Sequence, residues 1–593
     1  MGKDDSIRET YSALISRADL EQFKPNSNAM LALELKYGLD DLRTVADDAL
    51  TDDKLDRKCD LLYIDRENGL AVIAQAYEAD SLDKAQPPAN KAADLNTALT
   101  WILDGQVPSA ELGEKLRAAA QDLRSALAGA EISTLEIWFV HNLPTSPNVD
   151  KELRQVEGTA ASLVRHHFPD ADSPEVRALQ VSRDRIVSWY RNQDTAILVS
   201  DTLTVPKIGA WFEQAGSDWR AICTSIPAAW LRDLYTQYGD ELFSANVRGP
   251  IPSRRSSGNI NFTIGQTAKS DPDHFWAYNN GITAIVNSIN PAEDGLRIEG
   301  IAIVNGAQTT GSLPRDKNSK LEGVQILARF VESSNRDVID GIIRYNNSQN
   351  PIKPSDFRSR DRHQQRLRKE FSAIPDVTYL GTRRGGRDDA AKKPSNYISA
   401  DTAAQSLASF HRDPGTAYHE LKQIWDRDDQ YATYFGDHTT ATHIVFCWSL
   451  LRAVQYLKQD YVTREESLTS SDKQVLQFLR KRGATFLLVS AIGSTIDSIL
   501  GRAVPSSFRL SFSPQVSPAE AVKVWYPVVL ALASLAPSLD VDNQSGTAFQ
   551  RHTNIDERLA GFQQAVAAIR RPLADIFATF AATVVEDATP EAP

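Results

Sequence analysis

The stretch LLYIDRENGLAVIAQAY, residues 61–77, decides how the first third of the chain folds. Two β-like runs, 61–66 and 70–77, flank Glu67-Asn68-Gly69, and a loop of that kind between such runs predicts a hairpin. Upstream, residues 6–37 carry apolar side chains at helical spacing: Ile7, Tyr11, Leu14 and Ile15, then Met30, Leu31, Leu33 and Leu35. They predict two helices broken near Pro25-Asn26. An acid-rich segment, LDDLRTVADDALTDDKLDRKCD (39–60), leads into the hairpin. Downstream, residues 90–128 are helical by composition with a break near Pro108, and STLEIWFVHN (133–142) is a strand by its β-branched and aromatic content. A helix over about 150–166 and a further strand in VRALQVSR (176–183) follow. The order helix, strand, strand, helix, strand predicts an α/β domain over residues 1–200.

The whole chain has 593 residues, enough for several domains, with 42% hydrophobic and 24% charged residues, an ordinary globular composition. Cys59, Cys223 and Cys447 are far apart with no CxxC pair, which excludes a zinc ribbon or a disulfide framework and fits a reducing compartment. The first ten residues have no apolar signal core. The longest apolar stretches, 485–500 and 524–537, are too short or too polar to span a bilayer and read as buried helices. The expectation is a cytoplasmic protein without membrane contact. A net charge of −12 argues against a uniformly basic nucleic-acid binder but leaves room for a local basic groove.

A second unit with mixed patterning covers residues 201–400, a helical region covers 401–585, and residues 586–593 read as a disordered tail. In the helical region His443, Trp448 and Tyr456 read as core residues. Within the second unit, three apolar elements give way to carboxamides. HFWAYNNGITAIV (274–286) contains Asn279 and Asn280, IAIVNGAQTTGSL (301–313) contains Asn305 and Gln308, and the segment after IIRY contains Asn346, Asn347 and Gln349. Singly, each reads as a turn or a cap, and Asn280-Gly281 between apolar flanks predicts a hairpin turn. Jointly, uncharged groups that both donate and accept suit nucleobase edges, sugars or peptide amides, so the three predict a shared polar ligand site.

FWAYNNGIT, IVNGAQTTGSL and YNNSQNPIKPSDFRSRD, preceded by LFSANVRGPIP (242–252), resemble the signature motifs of the abortive infection phage resistance (AIPR) family, in the family's order and over about residues 200–435. The resemblance implies a phage-defence protein with an α+β central AIPR-type domain. Residues 353–393 add twelve basic against six acidic residues. Their 356–371 part is helical by pattern, and Arg358, Arg362, Arg366 and Lys369 fall on one face. With Arg248, Arg383 and Arg384 these arginines are candidate phosphate contacts, against the ordinary reading of a solvated, salt-bridged helix.

The N-terminal domain resembles a PD-(D/E)XK nuclease, which completes the expected fold class: α/β nuclease-like domain, α+β centre, all-α C-terminal region. The resemblance implies a Mg²⁺-dependent endonuclease with Asp60 and Glu34 as metal-binding carboxylates and Gln75 as a third catalytic ligand. QAY (75–77) departs from the family's lysine-ended motif, and the missing cation removes an electrostatic group typically worth about 10²–10³ in rate. Two functions are therefore open. One is a defence protein binding DNA, RNA or a nucleotide, with a nuclease domain that is active or degenerate. The other is a non-enzymatic sensor or scaffold whose C-terminal region docks a defence-system partner protein or a second copy as a homo-oligomer.

Overall fold

The computed structural model describes the chain except residues 1–2, 52–54, 105–110, 170–173, 193–196, 198, 207–209, 239–241, 244–266, 268–270, 294, 314–320, 322, 336–337, 340, 344–357, 359–360, 381–396, 541–546, 550–554 and 588–593. It is a mixed α/β protein, and among the described residues no helix is long and apolar enough to cross a membrane.

The predicted hairpin forms. Strand β1 (Leu61–Asp65) pairs antiparallel with β2 (Leu70–Tyr77), and Gly69 supplies the positive φ of the turn. β2 then runs parallel to β3 (Thr134–His141), and β3 parallel to β4 (Glu175–Val181), giving the order β1-β2-β3-β4. Parallel neighbours need crossovers. Helices Leu95–Leu103 and Glu114–Ala128 lie between β2 and β3, and Pro147–His167 lies between β3 and β4. All three pack in one core with Ala71, Ile73, Ile137 and Phe139. The other face carries Leu70, Val72, Ala74, Trp138 and Val140 and is covered by helices Lys3–Ile15, Ser27–Tyr37 and Arg183–Asn192. Buried Glu136 fixes the middle of these helices. It accepts hydrogen bonds from Lys36 at 2.9 Å, Tyr37 at 2.7 Å and Trp138 at 2.8 Å.

The second sheet has seven strands, β5 (Val199–Pro206), β6 (Phe212–Ala215), β7 (Trp219–Pro227), β8 (Ile282–Val286), β9 (Ser288–Ala292), β10 (Gly295–Asn305) and β11 (Gln325–Ser333). Their order is β5-β10-β8-β11-β7-β6, with β9 paired to β10. β8 and β11 are parallel; every other pairing is antiparallel. Asn280-Gly281 does not turn a hairpin. The chain enters it from the one-turn helix Phe275–Tyr278 and leaves it as β8, so an apolar run that reads as a strand in sequence is helical here. Residues 362–586 build the helical core around Ala441–Thr463, which is buried on nearly every side. His443 and Trp448 are core residues there, but Tyr456 is 44% exposed. The first two residues of the expected tail are ordered. Glu586 ends a strand paired to Leu510–Phe512, and Asp587 accepts from Thr442 at 3.0 Å and Ser511 at 2.6 Å.

The acid-rich segment also has a structural use. It forms helix Leu42–Ala49, capped by Asp41, and its acids meet cations of the C-terminal helices. Arg452 lies 2.8 Å from Asp41, which also accepts from Thr402 at 2.8 Å. Lys458 donates to the Asp47 carbonyl at 2.9 Å, and Arg482 donates to the Asp48 carbonyl at 3.0 Å. Arg482 also sits 2.8 Å from Asp122, which in turn pairs with Arg66 beside the hairpin. Burial pushes the Asp41 carboxyl up, but the Arg452 charge and the hydrogen bonds from Thr44, Arg452 and Thr402 outweigh it and hold the pKa at about 2. The folded value lies below the unfolded one of about 3.9. The contribution is therefore present above about pH 4 and is lost as pH falls towards 2. Arg452→Ala, which strands a buried carboxylate, is expected to cost roughly 3–5 kcal/mol in denaturant titrations. The wild type is expected to lose more stability than Asp41→Asn between pH 4 and pH 2, measured by the same titrations.

Candidate functional site

The first two amide motifs meet at the end of β8. The Asn279 side-chain oxygen accepts from the Gly281 N–H at 2.8 Å, closing a local turn, and from the Thr309 hydroxyl of the second motif at 3.1 Å. Two glycines make this approach possible. Gly281 has φ +72°, and a Cβ there would stand 2.1 Å from the Leu327 carbonyl oxygen of β11. Gly306 has φ +96°, and a Cβ there would stand 2.6 Å from the Gly281 oxygen. The chain then continues as helix Ala307–Ser312, with Thr309 and Thr310 buried. Asn305 is exposed at the end of β10 opposite Thr283, whose hydroxyl accepts from Arg329 at 3.1 Å. Asn280 is exposed beside it.

Aromatic rings flank these amides, and sequence reading did not single them out. Tyr278 is 68% exposed and stacks on His274 with centroids 5.6 Å apart. Trp276 is 46% exposed and donates its indole N–H to Ser225 on β7 at 3.1 Å. In this one-turn helix Phe275 is buried while Trp276 and Tyr278 are exposed, and helical period gave no signal for it, since Tyr278 lies three residues from Phe275 and would share its face. Asn346, Asn347 and Gln349, the side chain of Gln308, and Arg248, Arg383 and Arg384 lie outside the described residues.

Of the remaining candidate phosphate contacts, Arg358 and Arg366 are turned inward and Arg362 is not. Arg358 is itself helical, and the helix Arg362–Phe371, capped by Asp361, follows it. Arg358 donates to the Trp425 carbonyl at 3.1 Å and to Asp428 at 2.6 Å, and lies over the Tyr431 ring. Arg366 binds Glu370 at 2.6 Å and the carbonyls of Gly436 and Thr439 at 3.0 and 2.9 Å. Arg362 is exposed and pairs with Asp437 at 3.3 Å. Arg358 and Arg366 dock on the 425–439 segment, because carbonyls and acids distant in sequence take up their forks.

The three nuclease-type residues are placed separately. Asp60 accepts from the Ala76 N–H at 2.7 Å, tying the start of β1 to β2. Gln75 alternates with Ala74 and so shares the face of Ile73 and Phe139; its side-chain oxygen is buried without a hydrogen-bond partner among the described residues. Glu34 sits on the helix packed against the opposite face, 2.8 Å from Arg17. Among the described residues neither Asp60 nor Glu34 belongs to a cluster of three ligating side chains.

Residues 243–489 match the family model described as AIPR protein. The match begins later than the motif likeness suggests and extends beyond it, through helix Ala441–Thr463 and into Ala484–Ser494. No curated protein and no solved structure matches the chain. The glycine pair supplies a test of the site's packing. Gly281→Ala is expected to cost well over 2 kcal/mol, from left-handed strain of about 1–2 kcal/mol plus the clash with Leu327. Gly323→Ala, with φ +83° and nothing within 4 Å, is expected to show the strain alone. Thermal denaturation of the two variants checks the difference.

Proposed function

We propose, from the match of residues 243–489 to the AIPR family model, that the chain is an anti-phage defence protein acting as a sensor, with a single-stranded nucleic acid or nucleotide as its ligand. The observation that carries this reading is the exposure of Trp276 and Tyr278 next to Asn279 and Asn280. Bases stack on such rings, and neighbouring carboxamides offer the donors and acceptors that base edges need. The inward arginines support stacking over charge neutralisation as the main source of affinity, because Arg358 and Arg366 already serve internal acceptors.

Catalysis is not part of the proposal. Mg²⁺ binds hard oxygens, commonly one or two carboxylates. The buried Gln75 oxygen fits such a site, but Glu34 lies on the opposite face of the sheet with Arg17, and Tyr77 stands where a lysine would be needed. Asp60 alone is a poor Mg²⁺ ligand set, so no cleavage step is derived. In this reading the N-terminal α/β unit is a scaffold with a nuclease-like layout. The acceptance of the Ala76 N–H by Asp60 is a structural tie in the hairpin.

Two measurements test the proposal. Tyr278→Ala and Trp276→Ala are each expected to weaken binding of labelled single-stranded oligonucleotides about tenfold, since a base stack is worth about 1–3 kcal/mol. Unchanged affinity in both variants removes the stacking surface. The logarithm of affinity against the logarithm of salt is expected to have a shallow slope, equivalent to about one or two phosphates. With Mg²⁺ or Mn²⁺ added, wild type and Asp60→Ala are both expected to leave DNA and RNA intact; cleavage by the wild type that Asp60→Ala abolishes would restore the nuclease assignment.

A further inference from the structure

A cluster of three ligating side chains lies in the helical region, far in sequence from the amide site. His411 ends helix Ala400–Phe410, and His443 and Cys447 stand one turn apart on helix Ala441–Thr463. The His411 and His443 Nε2 atoms are 3.0 Å apart, and Cys447 Sγ is 3.3 Å from His443 Nε2. All three donor atoms lie within 4.8 Å of one another. A tetrahedral zinc ion, with bonds of about 2.0–2.1 Å to nitrogen and 2.3 Å to sulfur, separates its ligand atoms by about 3.3–3.6 Å. Side-chain shifts of some tenths of an ångström to about 1 Å convert the cluster into that arrangement.

The outer contacts already orient the imidazoles. His443 Nδ1 lies 2.9 Å from the Leu510 carbonyl, so Nδ1 carries the proton and Nε2 presents its lone pair inward. His411 Nδ1 lies 3.2 Å from the Ser507 hydroxyl, and its ring stacks on Phe508 at 3.5 Å. Both the His411 and the Cys447 donor atoms approach the same His443 lone pair. One imidazole lone pair accepts one well-formed hydrogen bond, so protein groups alone leave one of the two badly served. A cation at the centre serves all three.

We propose that His411, His443 and Cys447 bind a divalent transition-metal ion, zinc by donor chemistry, with a water on the half-buried His411 side as fourth ligand. Two imidazoles and one thiolate select zinc over magnesium or calcium, which prefer oxygen. On binding, the Cys447 thiol releases its proton to solvent, and the His411 proton moves to Nδ1, where the Ser507 oxygen accepts it. The ion joins the end of one helix, the first two turns of helix Ala441–Thr463 and the Ser507–Leu510 turn, and so acts as a structural clamp within the helical core.

The test is titration of the full-length, untagged, metal-stripped protein with Co²⁺, a spectroscopic substitute for zinc. The expected result is one equivalent bound per chain, with tetrahedral ligand-field bands and a thiolate-to-cobalt charge-transfer band, all abolished by one equivalent of Zn²⁺. Cys447→Ser is expected to lose the charge-transfer band. His411→Gln is expected to weaken cobalt binding at least tenfold while leaving the thermal unfolding of the metal-free protein little changed. Absence of the thiolate band in the wild type, its persistence in Cys447→Ser, or unchanged cobalt affinity in His411→Gln overturns the assignment.

Discussion

Asp41 sits out of water between the Arg452 guanidinium and the hydroxyls of Thr44 and Thr402, and the joint between the first sheet and the helical region depends on this arrangement. Taking one charge out of water is expensive unless its partner and its remaining lone pairs are satisfied, and here they are. The same helix also presents the Asp47 and Asp48 carbonyls to Lys458 and Arg482, while Arg482 reaches Asp122 and thereby Arg66. Ordinary hydrophobic packing is tolerant of small slips; a row of directional, charge-assisted hydrogen bonds is not. The seam therefore fixes where the first sheet stands on the helices.

Around the amide motifs a different constraint acts. Gly281 and Gly306 let two backbones approach to distances that any side chain would prevent, and Asn279 bridges them through Thr309. Much of the polar capacity of Asn279 is thus spent on holding the loops together. What remains at the surface is Asn280, Asn305 and two exposed rings. These outward groups rest on a strand end and on a loop pinned from below.

Much of the fold was legible because it rests on local pattern. The hairpin at 61–77, the strand at 133–142 and the long apolar helices follow from alternation, turn chemistry and helical period. The misreadings lie where a local signal has two uses. Asn280-Gly281 signals a reversal, but a one-turn helix precedes it, so the chain bends into β8 instead of folding back on a strand. Arg358 and Arg366 look like a charged outer face, yet carbonyls and acids at 425–439 claim them. Asp60, Gln75 and Glu34 fall in the right order along the chain, but strand alternation and helix placement put Glu34 across the sheet.

The sequence by itself determined the α/β character of the first third, the helical core of the last and the presence of the AIPR motifs, because periodicity and short motifs act over a few neighbouring residues. Only the tertiary structure decided which charges are spent inside the protein, that Trp276 and Tyr278 stand out beside the amides, and that His411 comes within 3.0 Å of His443. Those facts depend on residues tens to hundreds of positions apart. Their meeting is set by how the sheets and helices pack, which no local pattern encodes.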